Sequence, residues 1–296
     1  MLFRSSLFAA RERRPRPARD EKILTSWNAL TISALADAGG ALGRPELVGL
    51  AERALALVAS RLVLRDGAGL RVARLLKGDL VKEPGFLDDH AYLANAALDV
   101  YEAAGDPKHA ALAREIVAAM IAGFHTEEEG FFFTPAGGEA LLTRVQDAFD
   151  NAVPSGTAMA CRALLRVGAL ADASFAALGE KELRRLAPAA LANPLAHAQI
   201  VCELDRMVRG SVDVVIVGPR DHEAMRALAA VVHARYLPNR TLAWVDPRDP
   251  GSQAAAAALA EGKSPASDGA PVAYVCRGRT CSLPVREPAA LAALLV

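Results

Sequence analysis

Three short polar pairs recur at intervals of about 61 residues, each followed by Ala and an apolar run. They are Trp27-Asn28-Ala29-Leu30, Asp89-His90-Ala91-Tyr92 and Asp150-Asn151-Ala152-Val153. Asp88, Asp89, Asp147 and Asp150 would gather several carboxylates, and paired carboxylates perform general acid–base work on a glycosidic bond. His90 adds a group that titrates near neutrality. A carboxylate or His equally serves to abstract a proton beside a carbonyl. The candidate catalytic residues are therefore Asp88, Asp89, His90 and Asp150. Trp27 offers an apolar platform for a sugar face, with Asn28, Asn151 and Ser155 as polar substrate contacts. Helix capping alone also selects Asp, Asn and Ser at such positions.

A second constellation is Cys276-Arg277-Gly278-Arg279-Thr280-Cys281, at the end of an expected strand. A zinc site needs about four ligands, and Cys161 and Cys202 fall inside expected helices, so no metal is assigned. Cys276 and Cys281 are left as redox candidates: a reversible disulfide across the turn, or two ordinary thiols. Val217-Gly218-Pro219-Arg220 follows a strand as a phosphate loop would, but it lacks the Gly spacing of nucleotide motifs. No cofactor is expected.

These residues need elements to hold them. Thr25 or Ser26 caps a helix from Trp27 to about Gly39, and Pro45 opens the next, to about Leu64. Asp88 or Asp89 begins a third, reaching Ala104. Gly105-Asp106-Pro107 is a stop, turn and start, and the fourth helix runs to about Phe124. Pro154-Ser155-Gly156 opens the fifth, ending near Gly168. Further helices fit 173–187 and 194–208. The first helix of each unit, such as 91–104, is rich in small and apolar residues, which marks it as buried. The second, with Glu46, Glu52 and Arg53 or Lys108, Arg114 and Glu115, is amphipathic. Small-residue helices inside amphipathic ones describe an α/α barrel. The polar pairs would then lie at one rim, where unpaired N–H groups favour oxygen ligands.

At about Ser211 the texture changes. Val212 to Gly218 is a β-branched strand, followed by a helix over 221–236 and further strands at Thr241–Val245 and Pro271–Cys276. Helices over 253–261 and 287–295 alternate with them, which implies a short parallel sheet. The expected architecture is mainly α: a basic linker (1–22), a partial α/α barrel of about three hairpins (23–209), and a small α/β subdomain (210–296).

The bulk numbers exclude some classes. Lys+Arg and Asp+Glu are 34 each, so the net charge is zero and no basic excess favours nucleic acid or an anionic membrane. No apolar run reaches the ~18–20 residues of a membrane span. Four cysteines do not make a disulfide scaffold. A soluble cytoplasmic protein is the expectation.

The stretches Asp20–Leu30, Gly85–Ala91 and Asp150–Gly156 together resemble the thioredoxin-domain-containing, or spermatogenesis-associated protein 20, family. The strand Val214–Gly218 and the segment Tyr274–Pro284 resemble its C-terminal end. Departures are Glu21 where Asp is common, His90 where Tyr is common, and Thr157 where Asn is common. The resemblance implies a longer protein, with an N-terminal thioredoxin-like domain ahead of a barrel similar to six-hairpin glycosidases and N-acylglucosamine 2-epimerases. On that reading the chain starts midway through the barrel, as a fragment with about three of six hairpins. It holds no Cys-x-x-Cys to carry thioredoxin chemistry.

Three functional expectations follow: a carbohydrate-processing or carbohydrate-binding barrel segment with a small sugar ligand, a non-catalytic scaffold, or a chain needing an upstream half-barrel or thioredoxin-like polypeptide. Half a barrel would leave apolar flanks open near Leu30, Ile32 and Leu35 and near Leu164, Leu165 and Val167, favouring self-association.

Overall fold

The computed structural model describes residues 2–67, 69–138, 142–278 and 280–295. The basic N-terminal segment is not all linker: α1 (Leu2–Glu12) is a helix with exposed Phe3, Leu7 and Phe8, and extended chain follows it. Its Leu and Phe recur at helical spacing, a signal that the surrounding arginines obscure.

A two-residue strand, β1 (Ile23–Leu24), leads into the first hairpin, α2 (Thr25–Ala41) and α3 (Pro45–Leu62). Four short strands follow: β2 (Val63–Asp66), β3 (Gly69–Val72), β4 (Leu75–Lys77) and β5 (Leu80–Lys82). The second hairpin is α4 (Leu87–Ala104) and α5 (Pro107–Phe124), continued by β6 (His125–Thr126) and β7 (Gly130–Phe131). The third is α6 (Gly156–Leu170) and α7 (Ala173–Ala192). A 3-10 turn, Pro194–His197, then leads to α8 (Ala198–Arg209).

The helices α2, α4 and α6 form the inner layer, with α4 packed between the other two and α3, α5 and α7 outside. Burial follows the sequence. Leu87, Tyr92, Leu93, Leu98 and Tyr101 of α4 are fully buried, each worth roughly 1.5–3 kcal/mol of apolar transfer. Small residues permit the close approach. A Cβ on Gly168 of α6 would sit 2.3 Å from the Ala176 backbone nitrogen of α7. Gly105 ends α4 at φ 73°, a left-handed cap that favours glycine. The Trp244 ring fills the space where its Cβ would stand.

The subdomain comprises β8 (Val212–Val217), α9 (Glu223–His233), β9 (Arg240–Val245), α10 (Pro250–Ala255), α11 (Ala257–Ala260), β10 (Val272–Arg277), β11 (Thr280–Cys281) and α12 (Pro288–Leu294). Its sheet runs in the order β11-β10-β8-β9. Only β8 and β9 are parallel; β10 is antiparallel to β8, with Val272 opposite Val217. The sheet is thus mixed rather than uniformly parallel. The six-residue α10 and four-residue α11 lie between β9 and β10, and β10 starts at the end where β9 stopped.

The subdomain packs against the C-terminal ends of α2 and α4. α9 packs on α2, β9 on α4 and α6, α10 on α5 and α11 on α6, and one apolar core runs through both parts. The residues expected on open flanks are largely covered, Leu165 by α7 and α8 rather than by the subdomain. Ile32, Leu164, Leu165 and Val167 are buried, and Leu30 and Leu35 partly so. No helix among the described residues is long and apolar enough to cross a membrane.

Candidate functional site

The N-terminal rim of α2 and α4 is built around one carboxylate. Leu24, at the N-cap of α2, provides no side-chain cap. Asp89 of α4 supplies it instead, its Oδ1 accepting the Ser26 N–H at 3.1 Å. Oδ2 accepts the Phe86 N–H at 2.9 Å, capping its own helix. One side chain with no solvent exposure thus closes two helix starts.

Arg74, between β3 and β4, completes the cluster. Its Nη1 lies 3.0–3.1 Å from the oxygens of Asp88 and 3.1 Å from both oxygens of Asp89. The guanidinium also stands over the Phe86 ring, 5.2 Å from its centroid. Burial, and then the charge of Asp88, push the Asp89 carboxyl up to about 6, while the Phe86 N–H and Arg74 pull it back.

Asp88 is the open member, its side chain 18 % exposed. Asp147, half-buried in the loop before α6, is raised by burial and next by the Asp88 charge, against hydrogen bonds from the Gly156 and Phe149 N–H groups. The Tyr92 hydroxyl donates to the Pro154 carbonyl and lies within the field of Asp88 and Asp147, which with burial pushes its acidity well down. Arg74, Asp88, Tyr92 and Asp147 therefore meet at one rim.

Of the other expected site residues, Asp150 lies within the field of Tyr92 and Asp147, and the rest are not brought together there. His90 is buried behind the rim: Nδ1 donates to the Phe86 carbonyl at 2.9 Å and Nε2 accepts the Val72 N–H at 3.3 Å. Its ring packs on Phe124, and burial lowers its pKa to about 4. Both nitrogens are committed to backbone, which is a structural arrangement. The third polar pair is out of step. Asp150 and Asn151 lie in a loop, because α6 begins only at Gly156.

Asp150 accepts the Ser155 and Gln199 N–H groups, each at 2.7 Å, tying the loop to α8. Ser155 is buried as the N-cap of α6, accepting from the Ala158 N–H at 3.2 Å. Asn151 is exposed. Asn28 donates to the Leu24 carbonyl at 2.8 Å, and Trp27 is 62 % exposed. Cys276 and Cys281 face each other across the β10–β11 hairpin and form a disulfide, far from the rim in the fold. Arg279 of that turn lies outside the described residues.

Sequence spacing missed Arg74, which sits at a strand end with no motif around it. It also missed Arg166, the buried one of two arginines in the apolar helix α6. Among the described residues no cluster of three or more His, Cys, Asp and Glu has a metal-holding arrangement.

No family profile matches the chain. Its similarity to curated proteins is nonetheless nearly end to end. The chain is similar to spermatogenesis-associated protein 20. Identity to the human protein is 28 %, over 98 % of this chain and 38 % of the human one. An uncharacterised Caenorhabditis elegans protein is 27 % identical over 95 % of this chain and 38 % of its own length. The chain therefore spans under two fifths of the relatives it matches. In fold it resembles a GH76 α-mannanase from Bacteroides thetaiotaomicron, with a TM-score of 0.50 at 14 % identity, over 73 % of this chain and 57 % of the mannanase. That likeness agrees with a helical-barrel, six-hairpin-glycosidase-like architecture.

Proposed function

We propose that the chain is a carbohydrate-binding or carbohydrate-processing segment of a helical barrel, with its sugar site at the rim formed by Arg74, Asp88, Tyr92 and Asp147. The observation that carries this reading is the inequality of two neighbouring carboxyl groups. Asp88 is paired with a guanidinium and partly exposed; the Asp147 carboxyl, half-buried in the loop before α6, is raised by burial and next by the Asp88 charge. Two carboxyls in unlike environments are what acid and base roles at a glycosidic bond require. Support also comes from the shared fold with an α-mannanase, which makes mannosides the first ligands to test.

Calorimetric titration of mannobiose and cellobiose into wild type, Asp88→Asn and Asp147→Asn tests the reading. Saturable binding weakened by either substitution supports it. Absence of saturable heat with any sugar, in a folded sample, removes it.

A second reading is a non-catalytic scaffold. It is favoured by Asp89, His90 and Asp150, whose polar atoms bind the backbone of neighbouring elements. On that reading the exposed Phe3, Leu7 and Phe8 of α1 are the surface covered by a second copy or by the remainder of the barrel. Sedimentation across a concentration series, compared with Phe3→Ser/Phe8→Ser, separates association through α1 from a monomer.

A further inference from the structure

The opposite end of the inner helices holds a second polar centre. A cleft of about 430 Å³ opens between α2, α4 and α6 and the 233–240 segment joining α9 to β9. That volume suits a small ligand. The walls carry Asp37, Asp99 and Glu102 against Arg162, Arg166, Arg235 and Arg240.

The pairing is uneven. Arg166, almost wholly buried, takes two of the carboxylates: Nη2 lies 2.8 Å from Asp99 Oδ1 and 3.1 Å from Glu102 Oε1. Its Nη1 donates to the carbonyl and the side-chain oxygen of Asn95, each at 3.3 Å. That guanidinium is satisfied, and it explains why two acids are stable inside the arc.

The remaining three arginines are held less tightly. Arg162 is 34 % exposed, with its one carboxylate partner, Glu203, at 3.5 Å. Arg240 Nε is buried without a hydrogen bond, 3.4 Å from Glu102 Oε2, while its Nη2 is 3.7 Å from Asp37. Arg235 forms no ion pair among the described residues. Three guanidiniums with spare donors thus share only long contacts, 3.4–3.7 Å, to Glu203, Glu102 and Asp37.

We propose that this cleft binds a small organic anion, a carboxylate or phosphate on a polar, hydroxyl-bearing body. The planar guanidinium fork matches both oxyanions bidentately. Bound between Arg162, Arg235 and Arg240, the anion takes up the donors the protein leaves unmade. Asp37, at the mouth, accepts from hydroxyls on the ligand body. The cleft is separate from the rim of Asp88 and does not depend on the sugar reading. Because its walls come from both the arc and the subdomain, an occupant ties the two together.

The test is calorimetry and thermal unfolding of the full chain with inorganic phosphate and, in a second arm, glucuronate. Saturable binding with a rise in Tm is expected from at least one anion. Response to phosphate alone assigns a phosphate ester, and response to glucuronate alone assigns a carboxylate. Arg235→Ala, an exposed change that leaves the fold intact, and Arg240→Gln should each weaken binding about tenfold. Asp88→Asn should leave it unchanged, which separates this cleft from the rim. Failure of both anions to bind wild type saturably overturns the proposal, as does binding that neither arginine substitution alters.

Discussion

The Tyr101 hydroxyl accepts the backbone N–H of Trp244 at 3.0 Å and faces the Trp244 carbonyl at 3.3 Å. A single phenol in α4 thereby joins the helical arc to the subdomain sheet. Tyr101→Phe keeps the packing and leaves a buried N–H without its partner. Such a loss costs roughly 1–3 kcal/mol. Urea denaturation should show a lower midpoint with an unchanged m-value; an unchanged midpoint would mean that water or a small shift replaces the phenol.

Asp89 and Asp88 are adjacent but should respond differently. Asp89→Ala removes the acceptor for Ser26, Phe86 and Arg74 together and should destabilise by about 3 to 5 kcal/mol, as removal of one member of a buried ion pair does. Asp88→Asn, on a partly exposed pair, should cost less than about 1 kcal/mol and act on sugar binding. Paired stability and titration measurements check this. Equal stability losses in both variants would make the whole rim structural.

His90 predicts acid sensitivity. Its folded pKa is about 4 against an ordinary 6.5, lowered by burial. The folded chain therefore holds His90 neutral while the unfolded chain takes up a proton. The stability this provides is complete above pH 6.5 and is lost progressively as pH falls toward 4, by at most about 3 kcal/mol. In His90→Gln, the loss in Tm between pH 7 and pH 5 should shrink. An identical loss in both proteins would place the acid sensitivity elsewhere.

Cys276 and Cys281 are five positions apart, so reduction should lower stability by only about 2 kcal/mol on loop-entropy grounds. Intact mass with and without reductant, followed by thermal unfolding, measures it. A chain that unfolds on reduction would show that the hairpin organises more of the subdomain than its two short strands suggest.

Much of the arc could be read before any coordinates. The small-residue runs of α4 and α6, the Gly105-Asp106-Pro107 stop and the Ser155 cap are local signals, and local chemistry enforces them. The site was less legible because its partners are distant in sequence. Asp89 caps a helix that begins more than sixty residues earlier, and nothing in Arg74's neighbourhood announces which carboxylates it meets. The third polar pair misled for a different reason. Its spacing matches the repeat, but Pro154 and Ser155 delay the helix, so Asp150 reaches the neighbourhood of Tyr92 and Asp147 from a loop it ties down rather than from a helix start. His90 misled because a titratable residue next to two acids can still turn the opposite way around its helix.

The strand β9 lies at the margin of its sheet, where free backbone groups normally invite another strand. Here several of them are taken. Tyr101 takes the N–H and carbonyl of Trp244, and Arg206 donates to the Arg240 carbonyl at 3.3 Å. The helical arc thus acts as an edge guard: side chains cover both ends of the strand that would recruit a neighbour, and the opposite margin of the sheet is the two-residue strand β11, too short to template growth.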